Sequence, residues 1–224
     1  MSQTLTQQRL RLQFSKRGAL RYVGHLDLVT TWERVLRRAG LPLEYTRGFN
    51  PRPRLQFAAA LPVGLTSEAE LLDVWLTERV PLDPPGALSE RLNATSPVGL
   101  RAVQVAEVPI KAPALPPQVT GAEYTIAPND PALSPDDLWA RAQALLAQTR
   151  IERVLRGKTY DLRPLILALR QDDDGLPIAH LSTGERANAR TDELVAALGL
   201  GLGQVHAHRR RLFLNTPSDS RAPE

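Results

Sequence analysis

From Arg9 to Lys16 the chain alternates Arg, Leu, Arg, Leu, Gln, Phe, a period of two that predicts a half-buried strand. The period then lengthens. Leu26, Val29, Trp32, Glu33, Leu36 and Ala39 recur at helical spacing, and Gly40 with Pro42 supplies a stop. Leu43–Thr46 and Arg54–Leu61 read as strands on either side of the loop RGFNPRP, with a further strand at Leu71–Glu78 (LLDVWLTE). After the breaker PLDPPG, a short helix is expected over Ala87–Asn93 and an alternating strand over Leu100–Val108. The order β-α-β-β-α-β is the split βαβ, or ferredoxin-like, pattern.

Pro109, Pro113, Pro116 and Pro117 then fall close together and predict a stiff, extended connector. Beyond it the pattern restarts. A strand over Glu123–Ala127 precedes an Ala/Leu-rich helix over Pro135–Gln148, with Asp136 and Asp137 in its first turn. Strands follow at Arg150–Arg156 and Leu162–Arg170 around the turn GKTYD, and another at Ile178–Ser182. A helix over Thr191–Leu198 and a closing strand over Val205–Leu214 complete the series. The expected fold is α+β: two ferredoxin-like (βαββαβ) halves, residues 8–108 and 122–214, joined by a Pro-rich linker at 109–121 and followed by a flexible tail at 215–224.

Composition changes this picture mainly by exclusion. Hydrophobic residues make up 42% and charged residues 23% of the 224, a balance that supports a buried core. No apolar run approaches the roughly 18 residues that cross a bilayer, and MSQTLTQQRLRLQF has no signal-peptide core, so the expected location is cytoplasmic, away from membrane. The chain has no cysteine, which excludes disulfides, thiolate catalysis, thiolate zinc sites and a self-ligated iron–sulfur cluster. Charge is uneven. Residues 1–60 carry eleven Lys or Arg against Asp27, Glu33 and Glu44, a net of +8, whereas the remaining 164 carry 17 basic against 21 acidic side chains. Codon usage explains why 25 of the 28 basic residues are Arg, but not why they cluster. A basic first quarter suits a polyanion such as RNA.

Four groups of residues bear on chemistry. In RYVGHLD, Asp27 near the start of the first helix suits a cap, and His25 suits either positioning or a general base. The loop Thr46–Arg54 offers Arg47, Arg52 and Arg54 as forked phosphate donors, Phe49 as a stacking ring and Asn50 held extended before Pro51. The same loop also reads as a rigid hairpin with solvated arginines and Phe49 in the core. Asp161 and Arg163 lie on one strand face in KTYDLRP, which suits an ion pair or the clasp of a loop. In QVHAHRRRLFL, His206 and His208 share a face but lack a third metal ligand, and Arg209 and Arg211 lie on the opposite face. The Gly199–Gly203 run lacks the strand-then-helix context of a dinucleotide fingerprint. No metal site is expected.

The pieces HLD (His25–Asp27), ER…LRRAGLP (Glu33–Pro42) and GFNPRP (Gly48–Pro53), with DLRP (Asp161–Pro164) and R-x-R-L-F (Arg209–Phe213), resemble the radical-SAM-associated protein family over nearly the whole chain. Gly24 departs from the Ser of many members. The resemblance implies a bacterial protein that binds no cofactor itself and works beside a radical SAM protein on a separate chain. That partner would carry an iron–sulfur cluster and S-adenosylmethionine, in some members with cobalamin. The expectation is a non-catalytic RNA-binding accessory protein acting in RNA or ribosome modification. Its RNA-contacting set is Arg21, Arg38, Arg47, Phe49, Asn50, Arg52 and Arg54, with Asp161, Arg163, Arg209 and Arg211 as candidates in the second half. The alternatives are an RNA-directed enzyme using His25 with Arg52, and a protein-interaction scaffold without RNA.

Overall fold

The computed structural model describes residues 6–184 and 188–215; most of the expected tail, 216–224, lies outside them. The chain divides into two compact units, Met1–Leu115 with His206–Arg210, and Pro116–Val205 with Arg211–Glu224. The described residues form a mixed α/β protein with four α-helices and ten strands. None of these helices is long and apolar enough to cross a membrane.

In the first unit, β1 (Gln8–Lys16) pairs antiparallel with both β3 (Thr66–Leu76) and β4 (Leu100–Val108), and the short β2 (Leu55–Phe57) pairs with β3. Alternation sends Leu10, Leu12 and Phe14 of β1, with Leu72, Val74 and Leu76 of β3, into one apolar layer. Helices α1 (His25–Arg38) and α2 (Ala87–Asn93) supply Leu28, Trp32, Val35, Leu36, Leu88 and Leu92 to that layer. The stop read at Gly40 is a Schellman closure. Gly40 has φ +67°, its N–H donates to Arg37 O, and Leu41 N–H donates to Leu36 O at 3.1 Å.

Three readings of this region need correction. Leu43–Thr46 forms only isolated bridges, Leu43 to Leu76 and Tyr45 to Pro53, because Pro51 and Pro53 remove backbone donors beside it. The expected strand over Arg54–Leu61 shortens to the three residues of β2. β3 begins at Thr66, five residues before Leu71, and its added portion holds the buried polar residues Thr66, Ser67 and Glu70. The connector is also not free. Arg9 donates to Ala112 O at 2.6 Å and to Pro113 O at 3.1 Å, and Leu115 N–H donates to Gln56 Oε1 at 2.7 Å, so residues to Leu115 are fastened to the first unit.

In the second unit, β9 (Pro177–Ser182) pairs antiparallel with β5 (Val119–Pro128) and β8 (Ile166–Gln171). Helix α3 (Pro135–Leu146) starts with a capping box in which Ser134 Oγ accepts from Asp137 N and Asp137 Oδ2 accepts from Ser134 N. Helix α4 (Thr191–Ala197) closes on Gly199 as α1 closes on Gly40. The segment read as two long strands instead contains a separate hairpin, β6 (Glu152–Leu155) with β7 (Lys158–Asp161). Arg156 and Gly157 turn it with φ +52° and +78°, the left-handed pair that a tight two-residue hairpin requires.

The last strand, β10 (Val205–Leu214), was expected wholly within the second half, but its His206–Arg210 stretch belongs to the first unit. There it runs parallel to β3, His208 beside Thr66 and Arg209 beside Ser67. Arg209 is 1% exposed and donates to Glu70 Oε1 at 2.8 Å and to Ala60 O at 3.1 Å. That removes it from any RNA surface. Arg209→Ala leaves Glu70 buried beside only the Lys16 charge. The expected loss is about 3–5 kcal/mol, measured by urea unfolding, and the double change Arg209→Met/Glu70→Leu should recover most of it.

Candidate nucleic-acid interface

The loop after α1 is closed at its neck by backbone. Thr46 N–H donates to Arg52 O at 2.8 Å, Arg52 N–H to Thr46 Oγ1 at 3.1 Å and Arg54 N–H to Glu44 O at 2.7 Å. Above the neck Gly48 takes φ +133°, open to glycine and strained for other residues. Phe49 stands at the tip with a relative exposure of 105%, and Arg47, Asn50 and Arg52 are exposed around it. Of the two readings of this loop, Phe49 in the core is therefore excluded. Leaving a Phe in water forgoes roughly 1.5–3 kcal/mol of burial, and the ring offers both faces for stacking. Among the described residues neither Arg47 nor Arg52 has a carboxylate partner.

The rest of the basic set separates by what each cation touches. Arg9 and Arg11 hold Asp73, Arg17 holds Glu68, Arg37 holds Glu33 and Arg54 holds Glu44. Arg54 also lies 4.4 Å over the Trp75 ring, so it belongs to the loop's foundation. Lys16 is buried and donates to Val23 O at 2.8 Å. Of the eleven cations in residues 1–60, that leaves Arg21, Arg34, Arg38, Arg47 and Arg52 without a carboxylate among the described residues. Arg38 is exposed in the last turn of α1. Arg34, four residues earlier and exposed on the same side, was not singled out from sequence; its i,i+4 spacing to Arg38 was the available signal.

His25 is half-buried and meets Phe57 edge-on at 5.3 Å, the outer end of a ring series that continues through Phe14 to Trp32. That is a packing contact. Asp27 is exposed and does not cap α1: Gly24 is the N-cap residue, and no side chain bonds there. Asp27 nonetheless occupies the third helical position, as Asp137 does in α3, while Gly24 lacks the hydroxyl that Ser134 supplies there.

In the second unit Asp161 and Arg163 form no side-chain ion pair among the described residues; they meet through the Arg163 backbone. Asp161 Oδ1 accepts from Ile151 N at 2.8 Å and Arg163 N at 2.9 Å, bonds that hold its carboxyl below the usual carboxylate range, and Arg163 Nε donates to Gln148 O at 3.1 Å. Together they close the hairpin neck. Arg211 is exposed with its guanidinium 5.8 Å from the Phe213 ring.

A second cluster in the first unit was only half legible. Thr66 Oγ1 lies 2.9 Å from His206 Nε2 and 2.7 Å from His208 Nδ1, and both rings open into a cleft with Arg17, Gly18 and Arg21. Burial holds both imidazoles below their usual value, helped by Arg21 at His206; at His208 Glu68 opposes the shift and Arg17 adds to it. The pairing of His206 with His208 was visible as a strand alternation. Thr66 and Arg17 were not, because they arrive through sheet pairing. Among the described residues no group of acids and histidines could hold a metal.

Fold and surface together define an α/β protein that presents a basic, aromatic-tipped loop. The chain belongs to the family described as an uncharacterized protein conserved in bacteria (DUF2344), whose model matches residues 9–191. No curated protein matches it. A chain from the crystal structure of a Cbf5-Nop10-Gar1 complex is similar at 10% identity and TM-score 0.46, covering 92% of this chain and 50% of that one. The present chain thus spans half the length of that structure's chain.

Two outcomes are expected. Gly24→Ser should complete the α1 capping box, since a Cβ at Gly24 meets only Asp27 Oδ2, at 3.9 Å, and the backbone is already extended. Thermal unfolding should show a gain of roughly 0.5 kcal/mol, lost again in Gly24→Ser/Asp27→Ala. The two half-buried histidines have folded affinities for protons below those of the unfolded chain, whose rings titrate near pH ~6.5. Their contribution to stability is full above that pH and is lost as pH falls below it. The midpoint of unfolding should therefore drop between about pH 7.5 and 5.5, and His206→Gln/His208→Gln should flatten that drop.

Proposed function

We propose that this protein is a non-catalytic RNA-binding accessory protein of a radical SAM enzyme, acting in RNA or ribosome modification. The observation that carries the RNA reading is Phe49, fully exposed between Arg47 and Arg52 at the tip of a hydrogen-bonded loop. An aromatic ring between unpaired guanidiniums is the combination that stacks a base and grips its flanking phosphates. Arg34 and Arg38 add exposed charge on α1. The partner reading rests on the family resemblance and on ligand chemistry. A radical SAM cluster is held by thiolates, and this chain has no cysteine, so the cluster, S-adenosylmethionine and any cobalamin belong to the partner. We read the architecture as two versions of one ferredoxin-like plan, the second carrying β6 and β7 as an insertion.

Binding of single-stranded RNA, followed by fluorescence anisotropy against salt, tests the loop. Phe49→Ala should cost about 1–3 kcal/mol of affinity. Arg47→Ala/Arg52→Ala should lower the salt slope by about 0.7 for each lost contact. Arg54→Ala should leave the slope unchanged, because that cation is already spent on Glu44 and Trp75. Unaltered affinity in the Arg47/Phe49/Arg52 triple variant would reject this loop as the RNA surface. Affinity capture of the full chain, with sequencing of the RNA retained alongside a cysteine-bearing radical SAM protein, tests the partner.

A further inference from the structure

The histidine cleft of the first unit is not used by the loop. It has a volume of about 400 Å³ and is lined by Arg17, Gly18, Arg21, Thr66, His206 and His208, a size within the usual range for small-molecule sites. Each ionisable side chain in that lining is a base. Thr66 Oγ1 sits between two imidazole nitrogens, at 2.9 and 2.7 Å, and a hydroxyl has one proton, so at least one ring must donate to it. That fixes the rings in place while each keeps a second nitrogen.

The charges around them do not cancel. Arg17 is matched by Glu68 at 2.9 Å, and His208 Nε2 lies 3.6 Å from the same carboxylate. Arg21 has no carboxylate partner among the described residues. Its Nη2 donates to Tyr22 Oη at 2.6 Å and its guanidinium rests 4.8 Å over that ring, which orients the fork without neutralising it. Of the nearby buried charges, Glu70 is matched by Arg209, and Lys16 adds a further cation. The cleft is therefore a preformed concavity with surplus positive charge, a hydroxyl and two proton-accepting rings.

We propose that this cleft binds a phosphomonoester, either the phosphate of a free nucleotide or the phosphorylated end of an RNA, with Arg21, Arg17 and the two histidines as its ligands. The proposal goes beyond the loop reading and does not rest on it. A doubly charged phosphate beside His206 and His208 favours their protonated forms, so binding takes up protons and tightens as the medium is acidified through the imidazole range. Arg21 opposes that protonation at His206; at His208 Arg17 and His206 oppose it and Glu68 favours it.

Titration of adenosine monophosphate into the full chain, followed by the imidazole C–H signals in NMR, tests this. The chain has four histidines, and His206→Gln and His208→Gln assign the relevant pair. The expected result is that the His206 and His208 signals move downfield with the nucleotide while His25 and His180 stay in place, and that adenosine moves none. Affinity should be about fivefold tighter near pH 6.5 than near pH 8, and Arg21→Ala should weaken it about tenfold. A 5′-phosphorylated oligoribonucleotide that binds about tenfold tighter than both its 5′-hydroxyl counterpart and the mononucleotide identifies an RNA end; equal affinity for the mononucleotide identifies the free phosphomonoester. No movement of either signal at about 10 mM nucleotide or inorganic phosphate, or equal movement with adenosine, overturns the proposal. The Arg47/Phe49/Arg52 triple variant separates the two readings: it should keep the mononucleotide response even where RNA affinity falls.

Discussion

The first unit is organised around two carboxylates that its central strand buries. Asp73 and Glu70 are three residues apart on β3, so they point to opposite faces of the sheet, and neither reaches water. A buried carboxylate is tolerable only with a cation and hydrogen bonds around it. Asp73 draws in Arg9 and Arg11 from β1, and through Arg9 the carbonyls of Ala112 and Pro113; Glu70 draws in Arg209 from β10. Strand neighbours, the fastening of the connector and the placement of the last strand all satisfy the same electrostatic requirement.

This requirement also reshapes the charge of the surface. The net +8 of residues 1–60 suggests a broad polyanion-binding face. In the folded chain much of it is consumed, because Arg9, Arg11 and Arg17 answer acids that lie beyond residue 60. What remains for a partner is narrower and better defined: the loop tip, the outer side of α1 and Arg21 at the cleft. A formal count of charge cannot separate an arginine that faces solvent from one that neutralises a core, since both look alike until the sheet is paired.

The same distinction governs what the sequence revealed. Helices α1 and α2 and strands β1 and β4 were legible because their apolar positions keep a clean period and their stops are Gly and Pro. The start of β3 was not, because its buried residues there are Thr66, Ser67 and Glu70, which no hydrophobic period marks. β6 was legible within Arg150–Arg156, but β7 was hidden because its residues Lys158–Asp161 read as the turn GKTYD, while the turn itself lies at Arg156 and Gly157. GFNPRP announced a constrained loop, and only the folded chain shows Phe49 in solvent. Asp27 looked like a cap, and only the backbone identified Gly24 as the capping position. The Thr66–His206–His208 cluster joins residues some 140 positions apart, a distance that local pattern cannot bridge.

The allocation of His206–Arg210 to the first unit has a consequence for how the polypeptide is made. Most of that unit leaves the ribosome early, with Glu70 already in place and its arginine not yet translated. At about 5–20 residues per second, the roughly one hundred residues between the connector and Arg209 delay the missing cation by several seconds. Throughout that interval the nascent chain carries a carboxylate that favours water over the core, and burial near β3 is disfavoured. Completion of that unit is thereby tied to the synthesis of β10, and a chain broken off before β10 is left with Glu70 beside only the Lys16 charge.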